Sequence, residues 1–176
     1  MLHKKGSKWV LLLFILFAGI VLLNRFGINN QSILVAKPTQ SQSVSSLPRF
    51  FDRQNTIVTV GEKEITVEVV NSPESTTQGL SGRESIGADG MLFIFPKKGE
   101  LRFWMKDMRF DLDMIWIENQ TVVDISPNVP KPETTDLTLL PTYSPKVPAS
   151  MVLEVMAGKA AEWGVVDGSQ VRFSQL

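Results

Sequence analysis

The 176-residue chain contains no cysteine. That absence excludes disulfides, thiolate zinc sites, a cysteine nucleophile and the lipidated N-terminal cysteine of bacterial lipoproteins. Histidine is almost as scarce, since the only one, His3, stands ahead of a hydrophobic run. The rest of the chain has no imidazole for acid–base catalysis, for a Ser-His-Asp triad or for metal ligation. Excess positive charge is missing too. Residues 1–55 hold seven Lys and Arg against one acid, whereas residues 56–176 hold eleven against seventeen acids, a net of −6. Affinity for nucleic acid comes mainly from Lys and Arg neutralising phosphates, so an acidic domain is a poor polyanion binder. Nucleic acid is not an expected partner, and nothing in the composition calls for a cofactor or a metal.

What is present begins with a membrane signal. Residues 9–23, WVLLLFILFAGIVLL, run fifteen positions without a charge. As a helix they would span only about 22 Å, short of the roughly 30 Å hydrocarbon core of a bilayer. Extension to residue 28 gives twenty residues, with Arg25 near the end, where its stem can carry the charge to the interface. A cleaved signal peptide is the rival reading, because the run has the length of its apolar region. No small-x-small site follows Leu23, however, and Leu34-Val35-Ala36 lies too far downstream. Residues 9–28 are therefore expected to be an uncleaved transmembrane signal anchor. Lys4, Lys5 and Lys8 in the basic tail, residues 1–8, outweigh Arg25 behind the run. By the positive-inside rule the N-terminus stays cytoplasmic and the rest crosses, as a single-pass protein of the cell membrane. Residues 29–55 are rich in Ser, Gln and Asn and read as a flexible tether, reaching very roughly 30 Å as a random coil. Phe50 and Phe51 are its candidates for packing back onto a domain.

From Thr56 the pattern changes. Residues 56–60 and 64–70 alternate or run β-branched around Gly61-Glu62-Lys63, a hairpin signal. Ser72-Pro73-Glu74-Ser75 opens a short helix, with Ser as N-cap and Pro at its first position, expected to end near Gly82. Further strands are predicted over 91–95, 101–106, 112–118, 121–125, 151–156 and 170–173, with a turn at Asn119-Gln120. A second short helix fits 159–163, closed by Gly164. Six of the ten prolines crowd one connection, from Pro127 to Pro148, whose length suggests either function or a rigid cover over a sheet edge. Eight short strands and two small helices predict a mostly β extracytoplasmic domain, a β-sandwich or barrel, over residues 56–176.

Beside that connection, two features carry candidate chemistry. In LDMIWI, residues 112–117, Asp113 shares a strand face with Ile115 and Ile117, and in MVLEVM, residues 151–156, Glu154 shares one with Val152 and Met156. A carboxylate among apolar neighbours needs a cation or donors, or its pKa must rise. An ion pair with Arg83, Arg102 or Lys106 is the structural expectation; convergence of the two in a pocket is the functional one. In LRFWMKD, residues 101–107, extended chain would put Arg102, Trp104 and Lys106 on one face, a possible sugar-stacking platform or merely a half-buried rim. Asp107, Asp111 and Asp113 invite a calcium reading but match no EF-hand spacing.

In order, Gln78-Gly79-Leu80-Ser81-Gly82-Arg83, Gly90-Met91-Leu92-Phe93-Ile94-Phe95, Phe103-Trp104-Met105-Lys106, Leu112-Asp113-Met114-Ile115-Trp116-Ile117, Val147-Pro148-Ala149, Val152-Leu153-Glu154, Ala157-Gly158, Gly164 and Asp167-Gly168 follow a recognisable signature. The chain resembles the uncharacterised prokaryotic family called domain of unknown function 192 across essentially the whole domain. The resemblance implies a mostly β, jelly-roll-like domain, often behind a signal or anchor segment, and implies no established activity. Thr76 stands where the family commonly has arginine, and Asp107-Met108 and Asp111 make this copy more acidic than the family pattern.

The preferred functional reading is a tethered binding or accessory module for a small polar or carbohydrate ligand, with Arg83, Trp104, Lys106, Asp113 and Glu154 as candidate site residues. The alternatives are a hydrolase or lyase using the two carboxylates, with Lys106 or Arg83 stabilising charge, and an envelope protein-interaction scaffold without a ligand. Carboxyls about 5–10 Å apart across a cleft would favour the hydrolase.

Overall fold

The computed structural model describes residues 49–175. The expected anchor over residues 9–28 lies outside them, and among the described residues no helix is long and apolar enough to cross a membrane. Nine strands form: β1 (Asn55–Val60), β2 (Lys63–Val70), β3 (Gly90–Gly99), β4 (Phe103–Trp104), β5 (Leu112–Glu118), β6 (Thr121–Val129), β7 (Thr142–Tyr143), β8 (Ala149–Met156) and β9 (Val171–Gln175). Two short helices, α1 (Pro73–Gln78) and α2 (Lys159–Glu162), and one 3-10 turn at Leu137–Leu139 accompany them among the described residues.

Local chemistry explains the junctions. Asn119 and Gln120 both take positive φ, +48° and +61°, as a two-residue hairpin turn must to follow the strand twist. Ser72 caps α1 by accepting from the Ser75 N–H, and the Ser75 side chain returns to the Ser72 N–H, a capping box built from serines. The packed chain starts before the expected boundary at residue 56, because Phe50 meets Phe173 edge-to-face at 5.2 Å. Asp52 reinforces this by accepting from the Asn71 N–H and the Ser75 hydroxyl.

Seven strands make one sheet in the order β6-β5-β8-β3-β2-β1-β9, and β4 pairs with β7 in a separate ribbon. The sheet curls until its edges touch: the Val122 N–H donates to the Ser169 carbonyl at 2.9 Å, and the Val171 N–H to the Gln120 carbonyl at 2.8 Å. The mostly β expectation is met by this half-barrel rather than by a sandwich. A parallel β2–β3 pair, linked through α1, separates it from an antiparallel jelly roll.

Both faces of the sheet are buried. Inside the curl, Val58, Val67, Leu92, Ile115 and Leu153 form one apolar cluster; on the outer face Met91, Phe93, Met114, Trp116 and Val152 form another. That is why β5 and β8 read apolar at consecutive positions, with Leu112, Met114, Ile115, Trp116 and Ile117 all fully buried. Each such side chain contributes roughly 1.5–3 kcal/mol. The expected strand over 101–106 shrinks to β4, since the β7 partner offers only Thr142 and Tyr143 and Asp107 turns the chain at φ +54°.

A candidate ligand cleft over the outer face

Two connections cover the outer face of β3, β5 and β8. The first is held by Phe103, whose ring makes edge-to-face contacts with Phe93 (5.0 Å), Phe95 (6.0 Å) and Trp116 (5.6 Å). Met105 is buried beside it, and the Trp116 indole N–H is satisfied by the Ser126 hydroxyl at 3.0 Å. The second follows α1, where Gly79 takes φ +50° and an added Cβ would lie 3.0 Å from the Phe93 ring. The two are latched together: the Ser81 hydroxyl donates to the Lys106 carbonyl at 2.8 Å, and the Gly82 N–H to the Asp107 carbonyl at 2.9 Å. Between them remains a cleft of about 300 Å³, walled by Thr76–Ser81 on one side, Arg102–Met105 on the other, and Phe93, Phe95 and Glu154.

Glu154 is 4% exposed, and no cation, N–H or hydroxyl among the described residues donates to its carboxyl. Its register neighbours are Met91 on β3 and Met114 on β5. Burial alone pushes its pKa up to about 8, so near neutrality it is mostly a carboxylic acid, able both to donate and to accept. β3 packs closely against β8 here, since a Cβ on Gly90 would fall 2.6 Å from the Glu154 carbonyl.

Asp113 is equally buried and differently used. Its carboxylate accepts from the Asn128 N–H and from the Ala160 N–H, each at 2.8 Å. Gly158 at the N-cap of α2 has no side chain to cap with, so Asp113 performs that task from β5. The expected ion pair with Arg83, Arg102 or Lys106 does not form, because backbone donors satisfy the charge. Nor do Asp113 and Glu154 converge. In register Asp113 opposes Val155 while Met114 opposes Glu154, so the two carboxyls project from opposite faces of the sheet. They cannot flank one scissile bond as a two-carboxylate glycosidase requires.

The other candidates divide. Trp104, 46% exposed, stands on the wall of the cleft and of a shallower groove beside it that Lys106 and Glu74 also line. Lys106 pairs with Asp107. Arg83 is outside the cleft, donating to Glu68 at 2.7 and 3.0 Å while Arg53 donates to the same carboxylate at 2.8 Å. The Arg83 hydrogen bond holds the Glu68 pKa below the ordinary carboxylate range. Asp111 accepts from the Lys131 N–H, and among the described residues no three acidic or histidine side chains gather as a metal site. The proline-rich connection is tied down by Asp124, which accepts from the Lys146 N–H and Nζ at 2.9 and 2.8 Å. Burial pushes the Asp124 pKa up, but the Lys146 hydrogen bonds outweigh it and hold it low. Arg102 appeared in the sequence only as a flank of the Trp104 platform and as an ion-pair partner, outside the candidate site set, and the Thr76–Ser81 wall had no role there. The alternation that put Arg102 beside Trp104 on one face was the signal for the arginine; the wall had none.

A half-barrel with a small-molecule-sized cleft, floored by a buried acid and roofed by two latched loops, is the class of domain these observations define. The chain belongs to the domain of unknown function 192 family, described as an uncharacterized ACR, whose model matches residues 56–173. No functionally curated protein matches it. Among solved structures it is similar to a Sinorhizobium meliloti protein described as a candidate transcription regulator, at 28% identity and a TM-score of 0.61, covering 71% of this chain and 98% of that one. It is also similar to a Novosphingobium aromaticivorans protein of unknown function, at 26% identity and a TM-score of 0.58, covering 72% of this chain and 91% of that one.

Proposed function

We propose that this chain is a membrane-tethered, extracytoplasmic binding or accessory module that holds a small polar or carbohydrate ligand in the Glu154 cleft. The observation that carries this is the unpartnered carboxyl on the cleft wall. Holding such a group almost entirely out of water without a hydrogen bond is costly, up to on the order of a few kcal/mol, and no described residue offsets it. A ligand in the cleft would. Phe93, Phe95, Phe103 and Trp104 supply apolar and stacking surface, and about 300 Å³ matches the lower end of small-molecule sites. The tether and its side of the membrane rest on residues 9–28 and the basic tail before them. Nucleic-acid binding is disfavoured for this chain by the net charge of −6 over residues 56–176.

The test is thermal unfolding of the full chain in mild detergent against a panel of sugars, polyols, amino acids, amines and carboxylic acids. At least one class should raise Tm by mass action, and Trp104→Ala and Glu154→Gln should remove the effect. A panel without any stabilising class would return the domain to the scaffold reading.

A further inference from the structure

Resting on that binding reading, we propose that the group this cleft recognises is an ammonium, carried by a compact ligand whose other end is anionic, the chemistry of a small amino acid. Two observations carry the proposal independently. Glu154 lines the cleft, over nine-tenths buried and without a donor, so an ammonium brought to it can ionise it and pair with the resulting carboxylate away from bulk water. Arg102 lines the same cleft and, among the described residues, makes neither an ion pair nor a hydrogen bond. An ionisable acid and a cation thus stand in one cleft without pairing to each other. A zwitterion satisfies both; a sugar would meet a neutral acid and leave the arginine unused. The rings of Phe93, Phe95, Phe103 and Trp104, which line the same cleft, suit an ammonium and its short stem, since aromatic faces attract cations.

The proposal makes binding release a proton. The free carboxyl is protonated up to about pH 8, and an ammonium beside it favours the ionised form. The groups facing Glu154 are few: Met91 from β3 and Met114 from β5 are neutral, and among the described residues Arg102 is the other ionisable side chain on the cleft wall. Glu74 and Lys106 line only the adjoining groove.

Isothermal titration calorimetry on the full chain in mild detergent, in two buffers of different ionisation enthalpy, tests this. The probes are the common α-amino acids, γ-aminobutyrate, n-butylamine, butyrate and glucose. At least one amino acid should bind and release close to one proton near pH 7, with affinity rising about tenfold from pH 6 to 7 and levelling off above about 8. Glu154→Gln, which keeps the shape and the neutral state, should weaken that binding at least tenfold and abolish the proton release. Arg102→Gln should weaken the amino acid and leave n-butylamine unchanged. Binding of glucose or butyrate without proton release, while every amine fails, would overturn the ammonium assignment and leave the binding module standing. Silence from every probe in calorimetry, together with a thermal panel lacking any stabilising class, would overturn both.

Discussion

Replacing Asp113 with asparagine keeps the side chain's shape and removes its charge, which isolates its task. The carboxylate accepts two backbone N–H groups at 2.8 Å, one from Asn128 at the end of β6 and one from Ala160 in the first turn of α2. Asparagine has one acceptor oxygen, so its amide nitrogen must face one of these donors. One charge-assisted bond then becomes a neutral one, and the other becomes a buried donor facing a donor. Hydrogen bonds to charged groups contribute roughly 1.5–3 kcal/mol against about 1 for neutral ones, and an unsatisfied buried donor costs about 1–3. The variant should therefore lose roughly 2–4 kcal/mol, a large share of the stability of a domain this size. Denaturant unfolding beside wild type, with the m-value unchanged, measures it. Amide exchange adds the local readout, since Ala160 should lose protection more than the β1–β2 hairpin does. A loss below about 1 kcal/mol with Ala160 protection intact would refute the claim that Asp113 caps α2.

Two further expectations concern Glu154 and topology. The Glu154 carboxyl holds its proton in the fold up to about pH 8 but ionises in the unfolded chain near 4.5, so the folded state binds the extra proton between those values. Wild-type stability should therefore fall as pH rises from about 5 to about 8. Glu154→Gln should lack that fall and gain on the order of 3–4 kcal/mol relative to wild type across it; parallel profiles would contradict the burial argument. Alkaline phosphatase fused to the C-terminus should be active and membrane-bound, whereas an inactive fusion, or a mature chain beginning near residue 37, would contradict the anchor.

What the sequence made legible was what short-range chemistry decides. Gly61-Glu62-Lys63, Asn119-Gln120 and Ser72-Pro73 announce a turn, a turn and a helix start through their own backbone preferences, and each forms there. β5 runs over the predicted residues because its apolar content leaves it no exposed alternative. The β4–β7 ribbon had no such signal: two residues show no periodicity, and their partner lies within the proline-rich connection. The role of Phe50 was only a possibility because its partner, Phe173, lies at the far end of the chain. The site was half legible for the same reason. Alternation placed Asp113 and Glu154 each on an apolar face, but a period of two cannot say whether two strands present those residues to the same side. The register Met114 opposite Glu154 decides it. The donors to Asp113 are backbone N–H groups, which leave no mark in a sequence.

The two buried carboxyls show how structure and site can be told apart in a sheet apolar on both faces. They are similarly inaccessible, at 1% and 4% exposure, so burial alone does not distinguish them. Donors do. Asp113 is met by two N–H groups from two elements, and removing it would loosen both; its charge is compensated within the fold. Glu154 is flanked in register by methionines and met by no donor, so a methionine or leucine there would pack against the same neighbours without the burial cost. A fold that keeps a penalty of several kcal/mol at a position where an apolar side chain would fit has not used that residue to hold itself together. That is the ground for the proposed ligand: among the described residues, the opening beside the carboxyl is the cleft between the α1 connection and β4.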